Sequence, residues 1–308
     1  MTVTDLLTEL SQKGVHLAAD GERLVVNAPK GVLSDEHRAL LAAHKPELLL
    51  LLRDRREQAA QETRAIVPDP AARFEPFPLT DIQQAYWIGR APTMDLGGVG
   101  CHAYRELESA NVDVARLERA WNRLVERHDM LRAVFLDNGT QRILPDTPGC
   151  TIAVTDLRGL ADDDAQRELG RIRESMSHRL FDPTQWPLFD LRATHLPNSR
   201  TRIHISLDLL IADAASMLLL FREWESFYVD PAFDPDPLTL SFRDYVLDGE
   251  RRKQLDAYKE SERHWLARLD DFPPPPKLPL AKAPSMIAQP HFTRRGSRLG
   301  AEAWLRFK

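Results

Sequence analysis

Cysteine is nearly absent: Cys101 and Cys150 are the only two in 308 residues. They are too few and too scattered for a disulfide framework or a cysteine zinc site, and no metal is expected. No apolar run reaches the roughly 18 residues that a membrane helix needs. No clustered basic stripe offsets the net charge of −5, which argues against a nucleic-acid binder. The N-terminus, MTVTDLLTEL, lacks the basic segment and cleavage site of an export signal. These absences lead to the expectation of a cytoplasmic protein that contacts neither membrane nor nucleic acid. What is present, 43% hydrophobic and 28% charged residues, describes a globular chain long enough for one small and one ordinary domain.

The chain is organised around IHISLDLLIADAASMLLLFREW, residues 203–224. Ile203, Ile205 and Leu207 alternate with His204, Ser206 and Asp208, the two-residue period of a strand that puts the polar trio on one face. Met217, Leu218, Leu220, Phe221 and Trp224 then recur at helical spacing behind the capping run Asp213 to Ser216. Two isolated carboxylates, Asp208 and Asp213, mark this apolar corner. Either Asp213 simply caps the helix and Asp208 ends the strand, or one of them is paired and put to chemical use.

Residues 1–57 read as a compact module. Leu6, Leu7 and Leu10 stripe a first helix that Gly14 ends, and two β-prone runs meet at Asp20-Gly21, a hairpin signal. Ser34 caps a helix through Ala43, and Pro46 suits the first turn of the next. Leucines 48–52 wrap more than one face of that last helix, so part of its surface should pack on the hairpin or a partner. Residues 58–75, polar and proline-punctuated, read as a linker. The order helix, hairpin, two helices, with GVHLAADGERLVVNAPKG, resembles the N-terminal docking domains of the tubulysin type, which open megasynthase subunits. The resemblance implies capture of a C-terminal peptide of an upstream polyketide or peptide synthase subunit as a strand added along Leu24, Val25, Val26 and Asn27. A purely structural cap is the alternative.

The second domain, residues 76–272, opens with FPLTDIQQAYWIGR, residues 77–90. Thr80 and Gln83 have the spacing of a capping box, and Gly89 ends the helix. His102 falls in a strand-like run, where a lone histidine is more often structural than catalytic. Residues 112–127 form an amphipathic helix that leads into RHDMLRAVF, residues 127–135. The patterns FPLTxxQxAYxxGR and RHxMLRxxF, with Asp208-x4-Asp213-x2-Ser216, resemble the signatures of heterocyclization domains, members of the condensation superfamily of nonribosomal peptide synthetases.

That resemblance implies an α+β fold: a small αββαα docking domain and one lobe of a chloramphenicol-acetyltransferase-like two-lobed fold. It also implies an activity: amide condensation followed by cyclodehydration of carrier-bound Cys, Ser or Thr to a thiazoline or oxazoline. No cofactor is bound directly, because the substrates ride on the 4'-phosphopantetheine arms of upstream and downstream carrier proteins. Asp208, Asp213 and Ser216 take the catalytic places, while Tyr86, Gly89 and Arg90 position, and Arg132 (or Arg127) neutralises Asp213. Condensation domains that only form amides keep a histidine pair where this chain has Asp208 and Leu209. Leu209 is no base and an ordinary aspartate is a weak one near neutrality, so Asp208 reads as an electrostatic anchor. Residues 273–308, a proline-rich crossover followed by a strand and a helix, read as the start of a second lobe whose later signatures lie beyond this sequence. Turnover by this stretch alone is therefore not expected. A docking protein without catalysis and a different condensation-type acyltransferase remain as alternatives.

Overall fold

A computed structural model describes residues 3–29, 31–62, 65–274, 276, 278–288, 290–293, 295 and 297–307. Its chain forms two compact units, residues 1–66 with 251–272 and residues 67–250 with 273–308.

In the first unit, α1 (Val3–Gln12) is followed by the hairpin β1 (His16–Asp20) and β2 (Arg23–Asn27). Gly14 and Gly21 take the positive φ that closes these two turns, 72° and 57°. Helices α2 (Asp35–Ala43) and α3 (Lys45–Glu62) complete the αββαα order. Ser34 caps α2 in a reciprocal box with His37, whose ring returns to the Ser34 amide. Leu6, Leu10, Val15, Leu41 and Leu48 form the core. The leucines of α3 divide as their spacing dictates: Leu48 is buried and Leu50 is 62% exposed. Arg53 reaches from α3 to the Gly21 carbonyl at 2.6 Å, tying helix to hairpin. Among the described residues this sheet has two strands, and Val25 and Val26 are exposed along β2.

The second unit is built on a four-stranded sheet in the order β4 (His102–Ala110), β9 (Arg200–Asp208), β8 (Phe189–Leu196), β7 (Ala153–Asp156), antiparallel except for the β7–β8 pair. A smaller sheet, β3 (Phe77–Pro78), β6 (Thr140–Ile143), β5 (Ala133–Phe135), stands beside α4 (Asp81–Gly89). Helices α5 (Val114–Arg127) and α7 (Ala214–Val229) pack together through a T-shaped Trp121–Trp224 contact at 4.9 Å, with Trp224 Nε1 donating to the Leu117 carbonyl. Helix α6 (Asp162–Ser177) lies against β9 and β4. Helices α8 (Phe242–Arg252), α9 (Asp256–Leu266) and α10 (Ala301–Phe307) follow.

Two sequence expectations gain detail in the structure. The predicted linker at 58–75 is not one segment: α3 continues to Glu62, and Arg73 holds Asp129 through Nε and Nη2 at 2.8 and 2.9 Å. The Asp69 amide also donates to Asp244, so the end of this stretch is bound to the second unit by charge and backbone pairing that composition alone does not show. The proline-rich crossover and the strand expected from His291 onward fall partly outside the described residues, and the described ones there carry no strand.

Strand β9 is buried on both faces, more than its alternating pattern predicts. The apolar side joins the core of Trp121 and Phe189, while the polar side finds partners beneath α6. Ser206 donates to the Met176 carbonyl, and His204 lies between Tyr104 Oη at 2.8 Å and Thr194 Oγ1 at 3.1 Å. Burial pushes the pKa of His204 down to about 4. A folded value below the unfolded 6.5 means that the folded state binds fewer protons in between. Stability is therefore full above the unfolded value and falls as the pH drops through the folded one, by on the order of 3 kcal/mol. Urea midpoints measured from pH 7 down to 4 should show this slope in the parent protein, and a His204→Gln variant should lose most of it.

Candidate functional site

The corner after β9 is held by residues far away in sequence. Asp208 is fully buried, and Arg90 Nη2 donates to both of its carboxylate oxygens at 3.0 Å. The Leu210 amide adds a third hydrogen bond to Oδ1 at 3.0 Å. Helix α4 positions Arg90: Thr80 caps its start in a reciprocal box with Gln83, and Arg90 is the C-terminal cap. Behind Arg90 the chain folds back so tightly that a Cβ on Gly97 would lie 2.0 Å from the Ala91 carbonyl oxygen, and Gly98 donates to the Arg90 carbonyl. Only glycine fits at position 97. Gln83 is the second anchor, since its Nε2 donates to the Leu210 carbonyl at 2.8 Å while Gln141 Nε2 donates to its Oε1 at 2.8 Å.

Burial raises the pKa of Asp208, opposed by Arg90 and by the Leu210 amide. Asp213 behaves in the opposite way. It is exposed, accepts the Ser216 amide at 2.7 Å as the cap of α7, and those Ser216 contacts lower its pKa. The two acids thus sit in different surroundings and do not form a dyad. Asp213 and Ser216 line a cavity of about 630 Å³ together with Leu209, Leu210, Met130 and Tyr245. Asp208 lies behind that lining. Its partner in register on β4, His102, lines a second cavity of about 500 Å³.

The expected neutralisation of Asp213 by Arg132 or Arg127 is corrected. Arg132 is buried and turned toward the end of α5, donating to the carbonyls of Val125, Glu126 and Leu144 and to Asp129 Oδ1 at 2.9 Å. Arg127 bonds Glu223 at 3.1 Å, as does His128 at 2.7 Å, stapling α5 to α7. Arg132 satisfies carbonyls left open at the end of α5, whereas Arg127 is taken by Glu223 and by the carbonyls of Pro235 and Asp236. Among the other expected positions, Tyr86 is half-buried against the core, its pKa raised chiefly by the neighbouring Cys101 thiol. A Cβ on Gly89 would meet nothing within 4 Å, so that glycine is not required by close packing. Leu24 is half-buried while Val25, Val26 and Asn27 are exposed along β2.

The sequence reading missed the Arg90–Asp208 pair and the Gln83 bond to Leu210. The available signal was that both donors belong to the motif at 77–90, which had no structural reason to hold so many polar residues. Arg90→Ala should strand a buried carboxylate and cost about 3–5 kcal/mol in urea unfolding, whereas Asp213→Ala should cost about 1 kcal/mol, the loss of a helix cap. Equal costs would contradict the assignment of Asp208 as the buried anchor.

Comparison with known proteins covers both units. The condensation-domain family model matches residues 75–297, and that of the TubC N-terminal docking domain residues 3–54. Pyochelin synthetase PchF of Pseudomonas aeruginosa is 37% identical over 305 residues, covering 99% of this chain and 16% of that protein. Phenyloxazoline synthase MbtB of Mycobacterium tuberculosis is 40% identical over 212 residues, 67% of this chain and 14% of that protein. Among solved structures, a rhombohedral crystal form of the EpoB NRPS cyclization-docking bidomain from Sorangium cellulosum is similar at 42% identity with a TM-score of 0.74, covering 99% of this chain and 59% of that one. The chain therefore spans about 60% of that bidomain and at most 16% of these two synthetases.

Proposed function

This chain belongs to the condensation-domain family and carries a TubC N-terminal docking domain ahead of it, and from that premise we propose that it serves in heterocyclization on a peptide-synthetase assembly line. In this reading a carrier-bound acyl group is joined to a carrier-bound Cys, Ser or Thr, whose side chain then closes onto the new amide with loss of water. The relatives named for cyclization and for phenyloxazoline synthesis support the reaction class. The observation that carries it is the corner at 208–210, where an acid and a leucine stand instead of imidazoles and where Gln83 and Arg90 of a separate motif converge. A thioester is already activated, so the first bond needs orientation and an outlet for the amine proton more than a strong base. Asp208, paired and enclosed, acts as an electrostatic anchor for the corner that presents Leu209 to Ser216 to the cavity.

The cavity is bordered by exposed apolar residues, among them Ile82, Leu219, Leu240 and Tyr245. A face of this kind fits a second lobe that completes the cleft. The free β2 edge, with Val25 and Val26 exposed, fits strand addition by the C-terminal peptide of an upstream subunit.

The test is a reconstitution with the intact subunit and loaded upstream and downstream carrier proteins, followed by mass spectrometry. The product should be lighter by one water than the simple amide, and Asp208→Asn should slow its formation by up to about 100-fold through misplacement of the corner. Accumulation of the unclosed amide would identify a plain condensation domain instead. In a separate titration of the chain with a labelled C-terminal peptide of the upstream subunit, Val26→Pro should abolish binding by breaking the strand edge. Unchanged affinity would remove β2 as the docking strand.

A further inference from the structure

Helix α6 ends with Glu174 and His178 one turn apart, on the same face. A residue from a distant extended stretch closes on them. His291 stacks its ring on that of His178, centroid to centroid 4.4 Å and 9° from parallel. The Glu174 carboxylate lies 3.3 Å from His178 Nδ1 and 3.8 Å from His291 Nε2, and the three donor atoms are all within 4.8 Å of one another. Two donors bound to one tetrahedral zinc-sized ion, each about 2.1 Å from it, are separated by about 3.4 Å. The two distances to Glu174 bracket that value, and binding requires His291 to turn out of the stack so that its in-plane lone pair meets the ion held by His178.

A second observation concerns protons rather than spacing. His178 Nε2 is 3.0 Å from the Phe292 carbonyl oxygen, which can only accept. The ring therefore donates there, and in the neutral imidazole this leaves the Nδ1 lone pair directed at Glu174 Oε1. Around Nδ1 stand Ser177 Oγ and the Glu174 carbonyl, each at 3.2 Å. That lone pair can accept from the Ser177 hydroxyl or bind a metal ion. Donation of the far ring nitrogen to a backbone carbonyl is also the arrangement that fixes metal-binding imidazoles.

We propose that Glu174, His178 and His291 form a site for a divalent transition-metal ion of the zinc class, which clips the segment Pro290–Thr293 to the end of α6. Two imidazoles and one carboxylate favour zinc over magnesium or calcium, which prefer all-oxygen shells. With three protein ligands, a fourth position remains for water, and the site stands at the wall of the cavity of about 500 Å³ that His102 also lines. The expectation of no metal rested on cysteine count. It could not register a histidine brought in from far along the chain.

Zinc titrated calorimetrically into the full chain should bind with one-to-one stoichiometry. His178→Ala, His291→Ala and Glu174→Gln should each weaken that binding at least about tenfold, while His16→Ala, in the first unit, should leave it unchanged. Cobalt substitution should give the visible absorption of a four-coordinate ion, lost in the same three variants. All three side chains are partly or largely exposed, so far-UV circular dichroism should show the variants folded. Absence of zinc binding, or binding that the three variants do not alter, would overturn the site.

Discussion

A carboxylate taken wholly out of water costs several kcal/mol, and the ion pair with Arg90 lets this chain keep one at Asp208. The Leu210 amide shares the load, and Gln83 holds the carbonyl of the same residue. Such a pair adds little net stability compared with apolar packing of the same volume. What it adds is geometry: the backbone from Asp208 to Leu210 is pinned at both ends, and everything that follows, the cap at Asp213 and the start of α7, leaves from a fixed point. The tight turn at Gly97 and the capping box at Thr80 serve the same end, since each constrains where the guanidinium stands.

The two acids of the core motif are told apart by their surroundings. Asp208 faces a guanidinium in a dry interior and has its pKa raised by burial. Asp213, at the helix terminus and in contact with solvent, is held ionised by amide hydrogen bonds. One fixes structure from behind the cavity wall and the other shapes the electrostatics of the wall itself, with the positive end of α7 beside it. Neither is arranged as a free general base, which is compatible with the proposed first step, in which orientation matters more than a strong base.

Most of the local structure was legible because short-range physics determines it. Ser34 and Thr80 announce their helices by capping chemistry, the amphipathic spacing of 112–127 announces α5, Asp20-Gly21 announces the hairpin, and the alternation from Ile203 to Asp208 announces β9. The αββαα order of the N-terminal module followed from such cues. What the pattern could not give was pairing between charges separated by long stretches of chain. Arg132 has the right motif position to meet Asp213, yet the open carbonyls of α5 lie nearer and take it. The end of α3 was missed for a related reason: beyond Arg53 its sequence has no apolar stripe, and helix continues there without one.

The polar face of β9 has a consequence for how the sheet finds its alignment. Sliding this strand by one position against β4 and β8 would drive His204, Ser206 and Asp208 among Trp121 and Phe189 and strip each of its partner. The penalty would be several unsolvated groups at once, far beyond what a slipped apolar strand pays. Those three residues therefore act as a phase key for assembly, discriminating one alignment among many before any substrate is encountered.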